Sequence, residues 1–142
     1  MIVEDLITRS PVTVGREGSV AEAALHMKEA DVGSVVVLGE AGDVVGIVTD
    51  RDVAVRLVAE DLPADTTPVD VIMTIMPLCI DRRMDVEMAL KKMEVHGVRR
   101  IPVLDEGNEL LGVVSLDDIL IHLGKTFGVA AALIRAEVAG LV

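Results

Sequence analysis

Residues 46–52 read Gly-Ile-Val-Thr-Asp-Arg-Asp, and residues 112–118 read Gly-Val-Val-Ser-Leu-Asp-Asp. Both stretches consist of a glycine, two apolar residues, a hydroxyl residue and, three positions later, an aspartate. The β-branched residues after each glycine favour a strand. A hydroxyl residue followed three positions later by an acidic residue is the pattern of a capping box, which starts a helix. Each stretch therefore predicts a strand that passes directly into a helix.

The chain around these stretches repeats itself at an offset of 66 residues, without a gap. Between Val3 and Leu57, 15 residues are identical to the residue 66 positions later, and several of the others exchange one aliphatic residue for another. This period is longer than the ~20–50 residues of the common solenoid and propeller repeats. Two copies of one unit predict a twofold-symmetric pair, in which a site of one copy recurs in altered form in the other.

Each copy reads as β-α-β-β-α, so the predicted fold class is α/β (α+β) with two such repeats related by a pseudo-twofold axis. The continuous apolar strands indicate sheets that are covered on both faces. Glycines are expected to end three helices, namely Gly33, Gly97 and Gly124. We divide the chain into copy one (1–60), a polar linker (61–67), copy two (68–124) and a C-terminal helical tail (125–142). The tail helix packs either on its own domain or in a dimer contact.

Composition excludes several classes of protein. The net charge of −11 argues against nucleic-acid binding, because a basic surface supplies most of that affinity. No apolar run is expected to approach the ~20 residues that span a bilayer, and the N-terminus lacks the basic flank of a signal peptide. Cys79 is the single cysteine, which fits a reducing compartment. We therefore expect a soluble cytoplasmic protein.

The hydroxyl–aspartate pairs allow two interpretations. In the first they are helix caps and nothing more. In the second, the free N–H groups and partial positive charge of the helix N-terminus bind a phosphate, and the aspartate accepts from ribose hydroxyls, as acidic residues do in other nucleotide sites. Gly46 and Gly112 would let a ligand or a neighbouring backbone approach closely. The repetition of the pair at one register supports the second interpretation and leaves the first open.

The doubled unit ending in Gly-Ile-Val-Thr-x-x-Asp resembles the cystathionine-β-synthase (CBS) domain pair. The resemblance covers about residues 3–123 and includes Pro11-Val12-Thr13-Val14 and the stretch from His96 to Val103. It implies a regulatory module, not an enzyme, that binds an adenosine derivative such as AMP, ADP, ATP or S-adenosylmethionine in the clefts between repeats. It also implies a homodimer. We further expect output through an effector protein or through the dimer geometry, and the paired carboxylates Asp50/Asp52 and Asp117/Asp118 allow Mg²⁺ only as a bridge to a bound ATP.

Position by position, the resemblance implies ligand contacts in both copies. The ribose and phosphate contacts fall on the two junctions, at Asp52, Asp118, Thr49 and Ser115. The base contacts fall on strand residues, at Thr13, Val14, Val35, Cys79, Ile80 and Ile101.

The two copies differ beside these aspartates. Copy one has Arg51, whose planar donors suit a phosphate, where copy two has Asp117, which would repel it. Copy two carries Arg99 and Arg100, which either serve one of the facing clefts or are solvated surface charges. We therefore predict that the copy-one cleft binds a phosphorylated nucleoside more tightly.

Two rival functions remain at this point. A structural dimerisation scaffold would have empty clefts, and its hydroxyl–aspartate pairs would only cap helices. An enzyme acting on nucleotides would need a nucleophile and a base, and the sequence shows no such pair. The histidines lack metal-ligand spacing, so no metal site is predicted and they are interpreted as surface or helix-end residues, namely His26, His96 and His122.

Overall fold

Two sheets, one for each copy, form the framework of the computed structural model, which describes residues 1–140. The first sheet has the strand order β1-β2-β3-β4, formed by Thr13–Gly15, Ser34–Leu38, Val44–Thr49 and Thr74–Ile75. The second has the order β5-β6-β7, formed by Ile80–Asp81, Arg100–Leu104 and Leu110–Ser115. In each sheet the first strand is parallel to the second, and the second is antiparallel to the third. The predicted mixed α+β fold with two matching repeats is confirmed.

Four helices accompany the sheets in the described part of the chain: α1 (Val20–Ala30), α2, α3 (Val86–His96) and α4 (Leu116–Val138). Helix α2 begins with α geometry at Asp50–Asp52 and continues as a π-helix over Val53–Val58. Side-chain caps start α1 and α3, because the Glu22 N–H donates to Ser19 Oγ at 3.0 Å and the Glu87 N–H donates to Asp85 Oδ1 at 2.9 Å. Two short 3₁₀ helices, Val3–Leu6 and Val69–Val71, precede the first strands.

Two of the three predicted helix ends are wrong. Gly97 ends α3 in the left-handed conformation, as expected, with φ of 63°. Helix α1 ends earlier, at Asp31, which itself adopts φ of 52°; aspartate tolerates this region better than most residues. Gly124 lies inside α4, where a glycine costs only about 1 kcal/mol relative to alanine. The last helix of copy two and the predicted tail helix are therefore one continuous helix.

Helix α4 also corrects the expectation about apolar runs. Residues Leu116–Ala136 form a 21-residue stretch that is long and apolar enough to cross a membrane by length and composition alone. Its first turns belong to the folded domain, because Ile119 is fully buried in the second core. The alternative that the tail packs on its own domain is wrong for the described residues. Large apolar side chains beyond the second turn are exposed, namely Phe127, Val129, Leu133, Ile134 and Val138.

The two copies are joined by an exchange of the segments that precede their first strands. We call residues 1–10 leading segment one and residues 67–76 leading segment two. Val3 is fully buried in the core of copy two, and Val69 is fully buried in the core of copy one. Equivalent backbone hydrogen bonds fix them: the Val3 N–H donates to the Met84 carbonyl and the Val69 N–H to the Gly18 carbonyl, both at 2.8 Å. Each core is therefore completed by the other copy.

Side chains reinforce this exchange at equivalent positions. Arg82 forms an ion pair with Glu4 at 3.1 Å, and the equivalent arginine, Arg16, lies 3.9 Å from Asp70. The junction glycines make room for the same segments: a Cβ at Gly112 would lie 2.7 Å from the Ile7 side chain, and one at Gly46 would overlap Met73. The close neighbour that these two glycines admit is therefore a side chain of the other copy's leading segment.

The exchange predicts that a residue of leading segment two stabilises copy one. Ile72 is fully buried among copy-one residues. The substitution Ile72→Ala should lower the free energy of unfolding by about 2–5 kcal/mol, as measured by urea denaturation, because it leaves a cavity in that core. Val71→Ala is the matched control at an exposed neighbour, where we expect a change within about 0.5 kcal/mol. Equal effects of the two substitutions would contradict the exchange.

Candidate functional site

A cleft of about 220 Å³ lies where β7 passes into α4. Copy two contributes the junction residues Ser115, Asp117 and Asp118, together with Arg100 at the start of β6. Copy one contributes leading segment one from Leu6 to Ser10 and the residues between α1 and β2. The cleft, which we call the Asp118 cleft, is therefore built from both copies.

The junction of copy two is a complete capping box. The Ser115 N–H and hydroxyl both donate to Asp118 Oδ2, at 2.9 and 2.7 Å, and the Asp118 N–H donates to Ser115 Oγ at 3.1 Å. These hydrogen bonds use one carboxylate oxygen. Within residues 1–140, no hydrogen bond or ion pair engages Asp118 Oδ1. This junction therefore caps its helix and still has an acceptor left for a ligand in the cleft.

The junction of copy one has the same cap and a different environment. The Thr49 N–H donates to Asp52 Oδ2 at 2.9 Å, and the Asp52 N–H donates to Thr49 Oγ1 at 3.2 Å. The second oxygen, Asp52 Oδ1, lies 3.6 Å from Arg56 Nε, and the Asp52 side chain is only 14% exposed. Both carboxylate oxygens of Asp52 therefore already have partners within the protein.

The two sheet edges beside the junctions also differ. Strand β4 of leading segment two pairs with β3, with Ile75 opposite Gly46, and the Met76 N–H donates to the Val45 carbonyl at 3.0 Å. In the described residues, the equivalent stretch Thr8–Ser10 of leading segment one forms no ladder with β7. Leading segment two therefore covers the sheet edge beside the copy-one junction, whereas leading segment one leaves the edge of β7 uncovered and lines the Asp118 cleft.

The lining of the cleft combines two arginines, several hydroxyl groups and three carboxylates. Arg9 and Arg100 supply the cations, and Asp31 and Asp117 join Asp118 as the acids. Arg100 is partly buried and lies 3.9 Å from Asp50. The cleft also holds four hydroxyl groups, from Thr8, Ser10, Ser34 and Ser115. Such a site can offer a phosphate planar arginine donors and hydroxyl donors together.

Several residues of this cleft were missed by the sequence reasoning, namely Thr8, Arg9, Ser10 and Ser34. Their types carry no motif. Thr8, Arg9 and Ser10 reach the cleft because leading segment one crosses to copy two, and Ser34 reaches it from the start of β2. One signal was available, since Thr8 is identical to Thr74 in the repeat. Gly33 also serves the cleft, because a Cβ there would overlap the Arg100 guanidinium.

Of the predicted site residues, the structure brings Ser115, Asp118 and Arg100 together in one cleft. It places the four apolar candidates in the two cores, where each is at most 5% exposed: Val14, Val35, Ile80 and Ile101. They do not line the cleft, because these strand positions face inward from sheets covered on both sides. Apolar walls for a base are available instead from Leu6, Ile7, Val12, Val32 and Val113.

The remaining candidates lie outside the Asp118 cleft. Thr13 borders a second, shallower hollow of about 440 Å³ between the turns of the two hairpins. Arg51 is exposed at the start of α2. Arg99 is exposed and forms an ion pair with Asp117 at 3.4 Å, a kind of pair that contributes little to stability. Arg99 therefore fits the interpretation as surface charge, whereas Arg100 fits the interpretation as a cleft residue.

Neither the cysteine nor the acidic residues form a reactive or metal-binding centre in the described part of the chain. Burial raises the pKa of the Cys79 thiol, whose Sγ donates to the Pro77 carbonyl at 3.5 Å. The thiol is therefore mainly protonated near neutral pH, and a protonated thiol is a poor nucleophile. Within residues 1–140, no group of three or more His, Cys, Asp or Glu side chains is arranged to hold a metal ion.

Comparison with known proteins identifies the family. The family model for the CBS domain matches the chain twice, over residues 3–59 and 67–125. The chain belongs to the CBS domain family. The CBS domain-containing protein YhcV of Bacillus subtilis is 35% identical over 120 residues, which are 84% of each chain. The uncharacterized protein MK0525 of Methanopyrus kandleri is 34% identical over 116 residues, and the match spans 82% of this chain and 57% of that longer protein.

Solved structures of CBS proteins share this fold. The CBS domain protein PAE2072 from Pyrobaculum aerophilum, complexed with AMP, superposes with a TM-score of 0.78 at 28% identity, covering 88% of this chain and 99% of that one. The CBS domain pair of protein MJ0100, in complex with 5′-methylthioadenosine and S-adenosyl-L-methionine, superposes with a TM-score of 0.80 at 25% identity, covering 89% and 98%. Similar CBS pairs therefore bind adenosine derivatives.

The environment of Cys79 predicts slow alkylation. Because its pKa is raised, the folded protein should react with iodoacetamide more slowly at pH 8 than the same chain unfolded in urea. The rate for the folded protein should still be rising at a pH where that of the unfolded chain has levelled off. A folded protein whose rate levels off at the same pH as the unfolded chain would contradict this.

Proposed function

We propose that this protein is a regulatory sensor that binds an adenine nucleotide or another adenosine derivative in the Asp118 cleft and passes the ligand state to a partner protein. The observation that carries the proposal is that Asp118 lines an open cleft together with Arg9 and Arg100 and has a second carboxylate oxygen without a partner within residues 1–140. The adenosine ligands of PAE2072 and MJ0100 support the same ligand class.

Each part of such a ligand has a partner in the cleft. Asp118 Oδ1 would accept from a ribose hydroxyl. Arg9, Arg100 and the N-terminus of α4 would hold phosphate. Asp117 lines the same cleft, and its ion pair with Arg99 at 3.4 Å offsets the charge that would repel that phosphate. The aliphatic side chains of Val12 and Val32 would lie against the base. The volume of about 220 Å³ is slightly below the usual ~300–1,000 Å³ of ligand pockets, so part of the ligand would lie at the open mouth.

This assignment reverses the order of affinity predicted from sequence. Arg51 favours copy one on composition alone, but it is exposed, and the nearby Asp52 carboxylate is already engaged by Arg56. A ligand at Asp52 would have to displace that arginine and strand β4. We therefore propose the Asp118 cleft as the principal site. For Thr49, Asp52, Thr13 and Cys79, direct ligand contact stays a prediction without support from their positions.

Transmission would follow from the composition of the cleft. A ligand there would touch leading segment one, the start of β2 and the junction of copy two, so it would couple the two copies. The ligand can shift the equilibrium between two relative arrangements of the copies only if its affinities for those two arrangements differ. The partner that detects this change, a cytoplasmic location and a role for Mg²⁺ beside bound ATP stay predictions.

The two rival functions fit the geometry less well. A scaffold with empty clefts accounts for the copy-one junction, where cap and strand leave little room, but gives no use to the spare oxygen and the arginines of the Asp118 cleft. An enzyme would need an activated nucleophile, and burial keeps the chain's one thiol protonated. We therefore propose binding without catalysis.

We further propose that a second copy of the chain covers the exposed apolar faces of α2 and α4. Val55 on α2 and Ile121 on α4 occupy equivalent positions of the repeat, and both are more than half exposed. Val58 and Leu120 extend the same faces. The repeat therefore places equivalent apolar residues on both helices of this patch. A twofold dimer needs a self-complementary contact, and such a patch can provide one. Exposed apolar patches of this kind mark interaction sites.

The ligand proposal predicts opposite outcomes for the two junction aspartates. AMP, ADP, ATP and S-adenosylmethionine, each with and without Mg²⁺, should be screened by dye-based thermal shift and the best followed by calorimetry. A ligand at 100 times its dissociation constant should stabilise the wild type by about 2.7 kcal/mol. Asp118→Ala should abolish that gain, whereas Asp52→Ala should keep it. Both substitutions remove a helix cap, so each controls for the other. Binding that survives Asp118→Ala and disappears in Asp52→Ala would contradict the proposal and support the prediction from sequence that the copy-one cleft binds more tightly.

The dimer proposal predicts that charged substitutions in the proposed interface halve the molecular mass in solution. Ile121→Glu combined with Val55→Glu should convert a dimer to a monomer in light scattering, because it buries four carboxylates in the proposed interface. Val95→Glu, on the exposed face of α3, is the matched control and should stay dimeric. A wild-type protein that is monomeric at all concentrations, or a dimer that survives the double substitution, would contradict the proposed interface.

A further inference from the structure

We propose that Arg56 closes the copy-one junction, and that this side chain limits the chain to one adenosine site. The inference rests on the proposed function of the Asp118 cleft and explains why the other junction differs. Arg56 is a positioning residue here, because it acts through strand β4 and Asp52.

Arg56 links three parts of the copy-one junction. Its Nη1 donates to the carbonyls of Ile72 and Met73, at 3.2 and 3.3 Å, and its Nε lies 3.6 Å from Asp52 Oδ1. The two carbonyls belong to leading segment two and immediately precede β4. The guanidinium therefore holds this segment against α2 while it neutralises the carboxylate that would otherwise face a ligand.

Its action extends to the sheet edge. Met73 rests on Gly46, where a Cβ would overlap the Met73 side chain, and the following residues pair with β3 as strand β4. With the carbonyls of Ile72 and Met73 held in place, β4 begins in register with that edge. The strand then covers the sheet edge whose counterpart, on β7, is left uncovered in the other copy.

Copy two lacks this clamp. The residue equivalent to Arg56 is His122, which is shorter and has no guanidinium. The carbonyls equivalent to those of Ile72 and Met73 belong to Leu6 and Ile7, and within residues 1–140 no side chain donates to them. Ile7 still rests on its glycine, Gly112. The following residues stay off β7, and the Asp118 cleft lies between them. The presence of the arginine and the closure of the junction thus occur in the same copy.

The helix that carries Arg56 is unusual at this place. Over Val53–Val58 it is a π-helix, with the Ala59 N–H donating to the Ala54 carbonyl at 3.0 Å, whereas α4 is α-helical over the equivalent positions. Single π turns inside helices are often found at functional sites. Here the π turn begins between Asp52 and Arg56, which are the two ends of the ion pair. The local helix geometry therefore differs between the copies at the clamp itself.

The substitution Arg56→His gives copy one the residue of copy two and tests the clamp without any ligand. At pH 8, where a histidine is mainly neutral, hydrogen exchange at the amide of Met76, which donates to the Val45 carbonyl at 3.0 Å, should become at least about tenfold faster, because hydrogen bonds from charged donors contribute more than neutral ones. Arg83→His, at an exposed arginine on the opposite copy, should leave this exchange unchanged. Unchanged exchange in Arg56→His would overturn the proposal.

Calorimetry with AMP then counts the sites. The wild type should bind one AMP per chain and Arg56→His two. The double variant Arg56→His/Asp118→Ala should keep only the newly opened site. One AMP per chain in Arg56→His, or two in the wild type, would refute the site-limiting role. If no variant binds AMP while exchange at the Met76 amide accelerates, the clamp stands and the proposed ligand fails. Should Arg56→His not fold, Arg56→Lys, which keeps the charge but has one nitrogen, must still accelerate that exchange for the proposal to survive.

Discussion

The exchange of leading segments is the constraint on which the rest of the structure depends. Val3 and Val69 are fully buried, each in the core of the other copy, and both are tied there by backbone hydrogen bonds of 2.8 Å. Because neither core is complete without the other copy, the two sheets fold as one body. Because the leading segments cross, each junction between strand and helix is lined by the leading segment of the other copy. The exchange thus creates the clefts as well as the core.

The same exchange makes the two clefts unequal. Both junctions keep their capping boxes, so the caps alone do not distinguish a ligand site from a closed one. What differs is the leading segment beside each junction. Leading segment two completes the first sheet as β4 and is held by Arg56, whereas leading segment one stays away from β7 and leaves the Asp118 cleft. A repeated sequence can therefore fold into one open and one closed junction.

Much of the fold could be predicted from the chain alone. Strand and helix periodicity recurs at 66 residues, so each copy supported the interpretation of the other, and the tandem repeat and its β-α-β-β-α order were evident. The errors in helix and strand assignment fell at helix ends and at β4, which the predicted unit did not contain. Gly33 and Gly124 were expected to stop helices. Helix α1 ends before Gly33, because Asp31 takes the left-handed conformation. Helix α4 continues through Gly124, because a glycine is only a weak breaker where the neighbouring residues favour a helix.

The sequence by itself determined the family, the two hydroxyl–aspartate junctions and the candidates Ser115, Asp118 and Arg100, because these depend on residue types at fixed short spacings. Tertiary structure alone decided which junction is open and which side chains surround it. Thr8, Arg9 and Ser34 enter the cleft through contacts between segments far apart in the chain, and Val35 and Ile101 leave it because their strand faces are buried. No local pattern encodes such contacts, since they arise only when the two copies exchange their leading segments and pack.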